Sequence, residues 1–284
     1  MMNEYVVLMS APDRSGILAR VAAAVTKGGG DVRDAASFGD ATTGRFFLRI
    51  HLSLQADCSV GALRESVTRT VAELNGEATI ASLAERPKVM IAVSRFDHCL
   101  VDLLMRFRKG QFHADLVGVF SNHDDTRDIV EWYGLPFHHL PISRDTKSEQ
   151  ERQVIKLIAD TDTDLLVLAR YMQILSPALS QQLQDRCINI HHSFLPSFKG
   201  AKPYGQAYER GVKLIGATAH YVTDDLDEGP IIEQDVRRVT HATSADEMTE
   251  LGREIECSVL ARAVRWHLQH RIIVNGRKTV VFNH

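Results

Sequence analysis

After Pro87 the chain repeats one pattern: a short, almost wholly apolar run, then a longer charged segment of helical character. The runs are KVMIAVS, DLVGVFSN, PFHHLPI, DLLVLARY and CINIHH, separated by segments such as RDIVEWYG and KSEQERQVIKLIAD. Strands that are apolar on both faces must be covered from both sides, and strands that alternate with helices pair in parallel. The expectation is a Rossmann-like, mostly parallel α/β domain whose ligand sits beyond the carboxyl ends of the strands. The first run leads into Ser94-Arg95-Phe96-Asp97-His98 instead of GxGxxG. The glycines that let a pyrophosphate approach a helix N-terminus are missing, which disfavours a nicotinamide dinucleotide.

Upstream, Glu4 to Glu85 reads strand, helix, strand, strand, helix, strand, a βαββαβ order of ferredoxin-like shape. Gly28-Gly29-Gly30 follows a helix and precedes a strand, and reads as a helix stop. The junction Glu85-Arg86-Pro87-Lys88 breaks both pairing and helix, so the expected domains are 1–85 and 86–284. Late in the chain LIGATAHYV and GPIIEQDVRRV flank the acidic loop TDDLDE. A long amphipathic helix from about Ser244 to His270 opens on a Ser244/Glu247 capping box, and a hairpin turning at Asn275-Gly276 follows.

With 33 basic and 36 acidic side chains in 284 residues there is no global charge to attract nucleic acid or an anionic membrane. The four cysteines, Cys58, Cys99, Cys187 and Cys257, form no CxxC pair and read as reduced thiols. No basic leader and no long apolar span is present, so the expectation is a cytoplasmic protein with a small-molecule partner.

In CINIH, Asn189 and His191 are two apart, and period-two geometry places both on one strand face, with His192 pointing away. In 223-TDDLDEGP-230 most carboxylates read as a solvated turn, but Leu226 and Gly229-Pro230 around Asp227 imply a packed loop that holds one carboxylate. An amide, an imidazole and a carboxylate can polarise a carbonyl and manage protons while water or an amine attacks. Ser193 lacks the GxSxG elbow of an activated serine. A two-histidine, one-carboxylate metal site of His191, His220 and Asp227 has no supporting HxH or HExxH spacing, so no metal is expected; His220 otherwise reads as packing.

The segments NIHHSFLPSFKGAKPY and GATAHYVTDDLDEGPIIEQDV resemble the folate-dependent formyltransferase fold of glycinamide ribonucleotide transformylase. That resemblance implies that Asn189, His191 and Asp227 act on the formyl group of 10-formyltetrahydrofolate, a substrate rather than a bound cofactor. It also implies that 169-ARYMQILSP-177 meets the pterin through Met172, Gln173, Ile174 and Leu175, with Thr223 and Asp224 completing the folate site. Gln173 departs from a frequent arginine, and Gly205 from the histidine expected in PYHQAYERG.

The N-terminal part, with APDRSGILARVAAAV and TGRFFLRI, is similar to an ACT domain. An ACT domain followed by a formyltransferase-like domain resembles the formyltetrahydrofolate deformylase family over essentially the whole chain. This resemblance implies hydrolysis to formate and tetrahydrofolate, formate supply for purine synthesis, amino-acid effectors such as methionine or glycine, and homo-oligomers joined through ACT sheets. The loop Ala11–Gly16 reads either as the effector region or as a helix cap and turn. Two alternatives stay open: transfer of the formyl group to an amine, and a folate- or amino-acid-binding regulator without catalysis. Against transfer, Phe96 obstructs and Asp97 repels a phosphate near the first helix of the second domain, although Arg95 remains able to bind one. Hydrolysis needs a base, and an ordinary aspartate pKa of about 3.9 is low for one, so burial or neighbours are expected to raise that of Asp227.

Overall fold

A computed structural model describes residues 3–195 and 203–283. The chain divides into two compact units. One runs up to Arg86 and takes in Gln269–Asn275 and the segment from Thr279; the other is Pro87–Leu268 with Gly276–Lys278.

The first unit follows β1 (Asn3–Pro12), α1 (Ile17–Lys27), β2 (Gly30–Asp40), β3 (Arg45–Leu54), α2 (Val60–Glu73) and β4 (Glu77–Ser82). Its sheet has the order β2-β3-β1-β4, and every neighbouring pair is antiparallel. Val21 and Val25 of α1 and Leu63, Val67 and Val71 of α2 recur at helical spacing and are buried with Val7, Met9, Leu48, Ile50 and Leu52 of the sheet. Each such side chain contributes about 1.5–3 kcal/mol on burial. The C-terminal stretch, expected within the second domain, belongs to this unit through polar contacts. Arg49 of β3 donates to the carbonyls of His270 and Gln269, and Asn275 Nδ2 donates to Asp40 Oδ2 at 2.9 Å.

The second unit contains β5 (Lys88–Val93), α3 (His98–Arg108), β6 (Asp115–Ser121), α4 (Arg127–Trp132), β7 (Phe137–His139), α5 (Lys147–Asp160), β8 (Leu165–Leu168), α6 (Pro177–Gln182), β9 (Cys187–His191), α7 (Pro203–Glu209), β10 (Leu214–Tyr221), β11 (Ile231–Arg238) and α8 (Ala245–Leu268). Its seven strands lie in the order β11-β10-β9-β8-β5-β6-β7. Strands β5 to β9 are parallel, and β10 and β11 add an antiparallel edge. β8 and nearly all of β5 are buried, as two-sided cover requires. Ser244 and Glu247 cap α8 reciprocally: each backbone N–H donates to the other's side chain, at 2.7 and 3.2 Å. Among the described residues no helix is long and apolar enough to cross a membrane.

Candidate active site

The sheet turns antiparallel at β9 and β10, and that register builds the site. Asn189 stands opposite His220, and His191 opposite Thr218. The loop after β10 then carries Asp227 back over the strand ends. Its backbone is left-handed, with φ 59°, a conformation a non-glycine residue adopts at a cost and one that recurs at functional sites. Gly229 makes that path possible, because a Cβ there would lie 1.8 Å from the Tyr221 carbonyl oxygen. Gly229→Ala should therefore destabilise the chain by about 3 kcal/mol in chemical denaturation. An unchanged midpoint would show that the loop does not depend on this approach.

Asp227 Oδ1 lies 3.3 Å from His191 Nδ1 and 3.8 Å from His220 Nε2. Partial burial by itself pushes the Asp227 carboxyl up, but the hydrogen bond and charge of His191, with His220 and His192 behind, outweigh it and hold the group below its ordinary value. The expected upward shift is thus corrected: the imidazoles win over desolvation, and Asp227 is a carboxylate at neutral pH.

His220 is the residue whose role the sequence reading missed. Burial pushes its pKa down, so the ring is neutral. The Tyr221 carbonyl, 2.8 Å from Nδ1, can only accept, which puts the proton on Nδ1. Nε2 is then the acceptor for Asn189 Nδ2 at 3.2 Å. This fixes the amide's orientation and leaves its second N–H for a ligand. The available signal was joint period-two spacing in NIH and TAHY, but only pairing of the two strands gives it meaning.

A pH prediction follows from the same shift. The folded His220 binds its proton more weakly than the unfolded residue, so acid favours unfolding as pH falls below 6.5. Asp227 acts in a separate window, below 3.8. In a thermal-melt series His220→Gln should lose less Tm than wild type between neutrality and mild acid; equal losses would contradict the assignment.

A cavity of about 250 Å³ opens beside these groups, with Asn189, His191, His220 and Asp227 in its wall. Met172, Gln173, Ile174 and Leu175 line it, as do Thr223 and Asp224. Met172 and Ile174 are more than half exposed and form an apolar lip. Two polar groups of these residues already have partners within the protein. The Met172 N–H donates to Ser94 Oγ at 2.9 Å, and the Thr223 hydroxyl donates to the Asp225 carbonyl at 3.1 Å.

His192, expected to point away, instead lines the cavity and stacks on His191, with ring centroids 4.9 Å apart. Strand alternation does not extend to it, because β9 ends at His191. Ser193 does not line the cavity, and its carbonyl accepts from Thr218 Oγ1 at 2.9 Å. Gly205 lies within α7, and nothing among the described residues comes within 4 Å of where a side chain would begin. Pro196–Lys202 of the quoted motif lie outside the described residues. Among the described residues, the group able to offer three mutually close metal-ligand atoms is His98, Cys99 and Glu256, not His191, His220 and Asp227.

The model of the family described as Formyl transferase matches residues 87–264. A formyltetrahydrofolate deformylase of Bacillus subtilis (strain 168) is 46% identical over 280 residues, covering 97% of this chain and 93% of that protein. One of Corynebacterium sp. (strain P-1) is 45% identical over 278 residues, covering 98% and 97%. The crystal structure of a formyltetrahydrofolate deformylase from Burkholderia mallei superposes with a TM-score of 0.93 at 46% identity, covering 99% of this chain and all of that one. Kinship of this extent, together with a formyl-transferase domain that carries the cavity just described, makes the chain a member of the formyltetrahydrofolate deformylase family.

Proposed function

We propose that this chain hydrolyses 10-formyltetrahydrofolate to formate and tetrahydrofolate, with Asn189, His191 and Asp227 as the reacting site. The observation that carries the reading is the placement of the Asp227 carboxylate 3.3 Å from His191 in one cavity with an amide whose donor His220 orients. The full-length relatives named for this reaction support it.

The formyl oxygen accepts from the Asn189 amide. His191, which faces Asp227 through Nδ1, presents Nε2 as a buried group with no hydrogen-bond partner among the described residues. Water adds to the formyl carbon while its proton passes to the imidazole of His191, which faces the Asp227 carboxylate. Because Asp227 is held below its ordinary value, its main contribution is charge and orientation, with the imidazole handling the proton. The oxyanion is stabilised by Asn189 and His191; the C–N10 bond then breaks, N10 takes the proton, and formate leaves. Each oxyanion donor is worth roughly 3 kcal/mol and positioned proton transfer about 10²–10⁴-fold. The folate's ring system lies along Met172–Leu175, Thr223 and Asp224.

The first unit acts in this reading as an ACT-like regulatory module over 1–85, supported by its βαββαβ order and antiparallel sheet. Methionine or glycine is its effector, Ala11–Gly16 the effector loop, and pairing of these sheets joins copies of the chain. The catalytic unit, within 86–284, works in the cytoplasm without a resident cofactor and supplies formate for purine synthesis. The test is an assay for formate with 10-formyltetrahydrofolate alone. Release without any acceptor supports hydrolysis, whereas loss of substrate only when an amine is added overturns it.

A further inference from the structure

The direction of strand order reverses at β5, so the switch point of the parallel sheet lies between β5 and β8. An α/β sheet normally offers a ligand crevice there. In this chain five side chains from four segments fill it. Phe96 and His98 follow β5, Arg170 follows β8, Tyr204 comes from α7 and Glu256 from α8. Glu256, 1% exposed, accepts from Tyr204 Oη at 2.6 Å and from His98 Nε2 at 2.8 Å. Gly252, one turn earlier on α8, lets the Tyr204 ring reach it, since a Cβ there would lie 2.1 Å from that ring. Burial pushes the Glu256 carboxyl up, but His98, Arg170 and Tyr204 together hold it below its ordinary value.

Arg170 concentrates three costs in one residue. Its charge is buried, its backbone is left-handed at φ 64°, and its Nε and Nη1 have no hydrogen-bond partner among the described residues. Nε approaches Glu256 Oε2 at 3.5 Å, which supplies attraction without hydrogen-bond geometry, and the guanidinium lies 5.2 Å from the Phe96 ring centre. A divalent ion between His98, Cys99 and Glu256 would have to compete with this buried cation for the same carboxylate. Of the five residues, Arg170 alone also lines the catalytic cavity, so it is the residue that cavity and crevice share.

We propose that Arg170, seated by Glu256 and Phe96, determines acceptor specificity: it fills the crevice through which an organic amine would reach the formyl carbon and leaves the approach to water. This rests on the hydrolytic reading above. With water the new bond is C–O and the product formate; with hydroxylamine it would be C–N and the product formohydroxamate. In both cases the C–N10 bond breaks and N10 gains the proton.

The experiment supplies the full chain with 10-formyltetrahydrofolate and increasing hydroxylamine, uncharged near neutral pH, and reads the ratio of hydroxamate to formate. Wild type should yield formate throughout. Arg170→Ala should raise the hydroxamate fraction about tenfold or more, the scale on which filled space discriminates; Arg170→Lys, which keeps much of the volume, should stay near wild type. The ratio counts only molecules that react, so lost folded protein does not imitate the effect. If Arg170→Ala does not fold, Phe96→Ala, which removes a 44% exposed ring, should shift the ratio in the same direction. An unchanged ratio in the folded variants, or a full shift in Arg170→Lys, overturns the proposal. Wild type that forms no formate without an amine would instead overturn the hydrolytic reading.

Discussion

Asp227→Asn should slow formate release by about 10²–10⁴-fold while leaving the affinity for a non-reacting folate analogue close to wild type. The substitution isolates charge from shape. Asn and Asp have nearly equal volume, and Asn is among the few residues that tolerate the left-handed φ of 59° found here. The loop over β10 should therefore keep its path, held by Gly229 against the Tyr221 carbonyl. What disappears is the anion facing His191 Nδ1 at 3.3 Å, and with it the means of stabilising a proton on that ring. Rapid-quench rates compared with calorimetric binding separate the two effects. A near-wild-type rate would remove Asp227 from the chemistry.

Asn189→Ala should lower kcat by about 10²–10³-fold with a much smaller change in KM, because an oxyanion donor acts chiefly as charge develops. Two contacts are lost together: the N–H offered to the formyl oxygen and the 3.2 Å bond that ties the amide to His220 Nε2. The tie is why the amide needs no reorganisation during the reaction. A variant altered in KM alone would show that Asn189 binds substrate without favouring the transition state.

Much of the architecture was legible because burial on both faces leaves strands with few polar residues to mislead: KVMIAV and LLVL can belong only to a covered sheet. The shared face of Asn189 and His191 followed from period two alone. The cross-strand register did not, and it is the register that brings His220 to Asn189. His192 was misread because alternation was extended past the end of β9. The Asp227 shift is a difference between desolvation and three imidazoles, and its sign depends on distances no spacing reveals. Glu256 looks like any charged position in the 24-residue α8; only packing shows it buried beneath Tyr204 and His98. The attachment of Gln269–Asn275 to the first unit is likewise made by Arg49 and Asp40, polar residues with no periodic signature.

A single turnover of 10-formyltetrahydrofolate in water enriched with heavy oxygen, with every amine excluded, bears most directly on the account. Formate carrying one solvent oxygen, formed in step with tetrahydrofolate, is the expected result. A formyl group that stays on the folate until an amine is supplied, or formate without solvent oxygen, would contradict it.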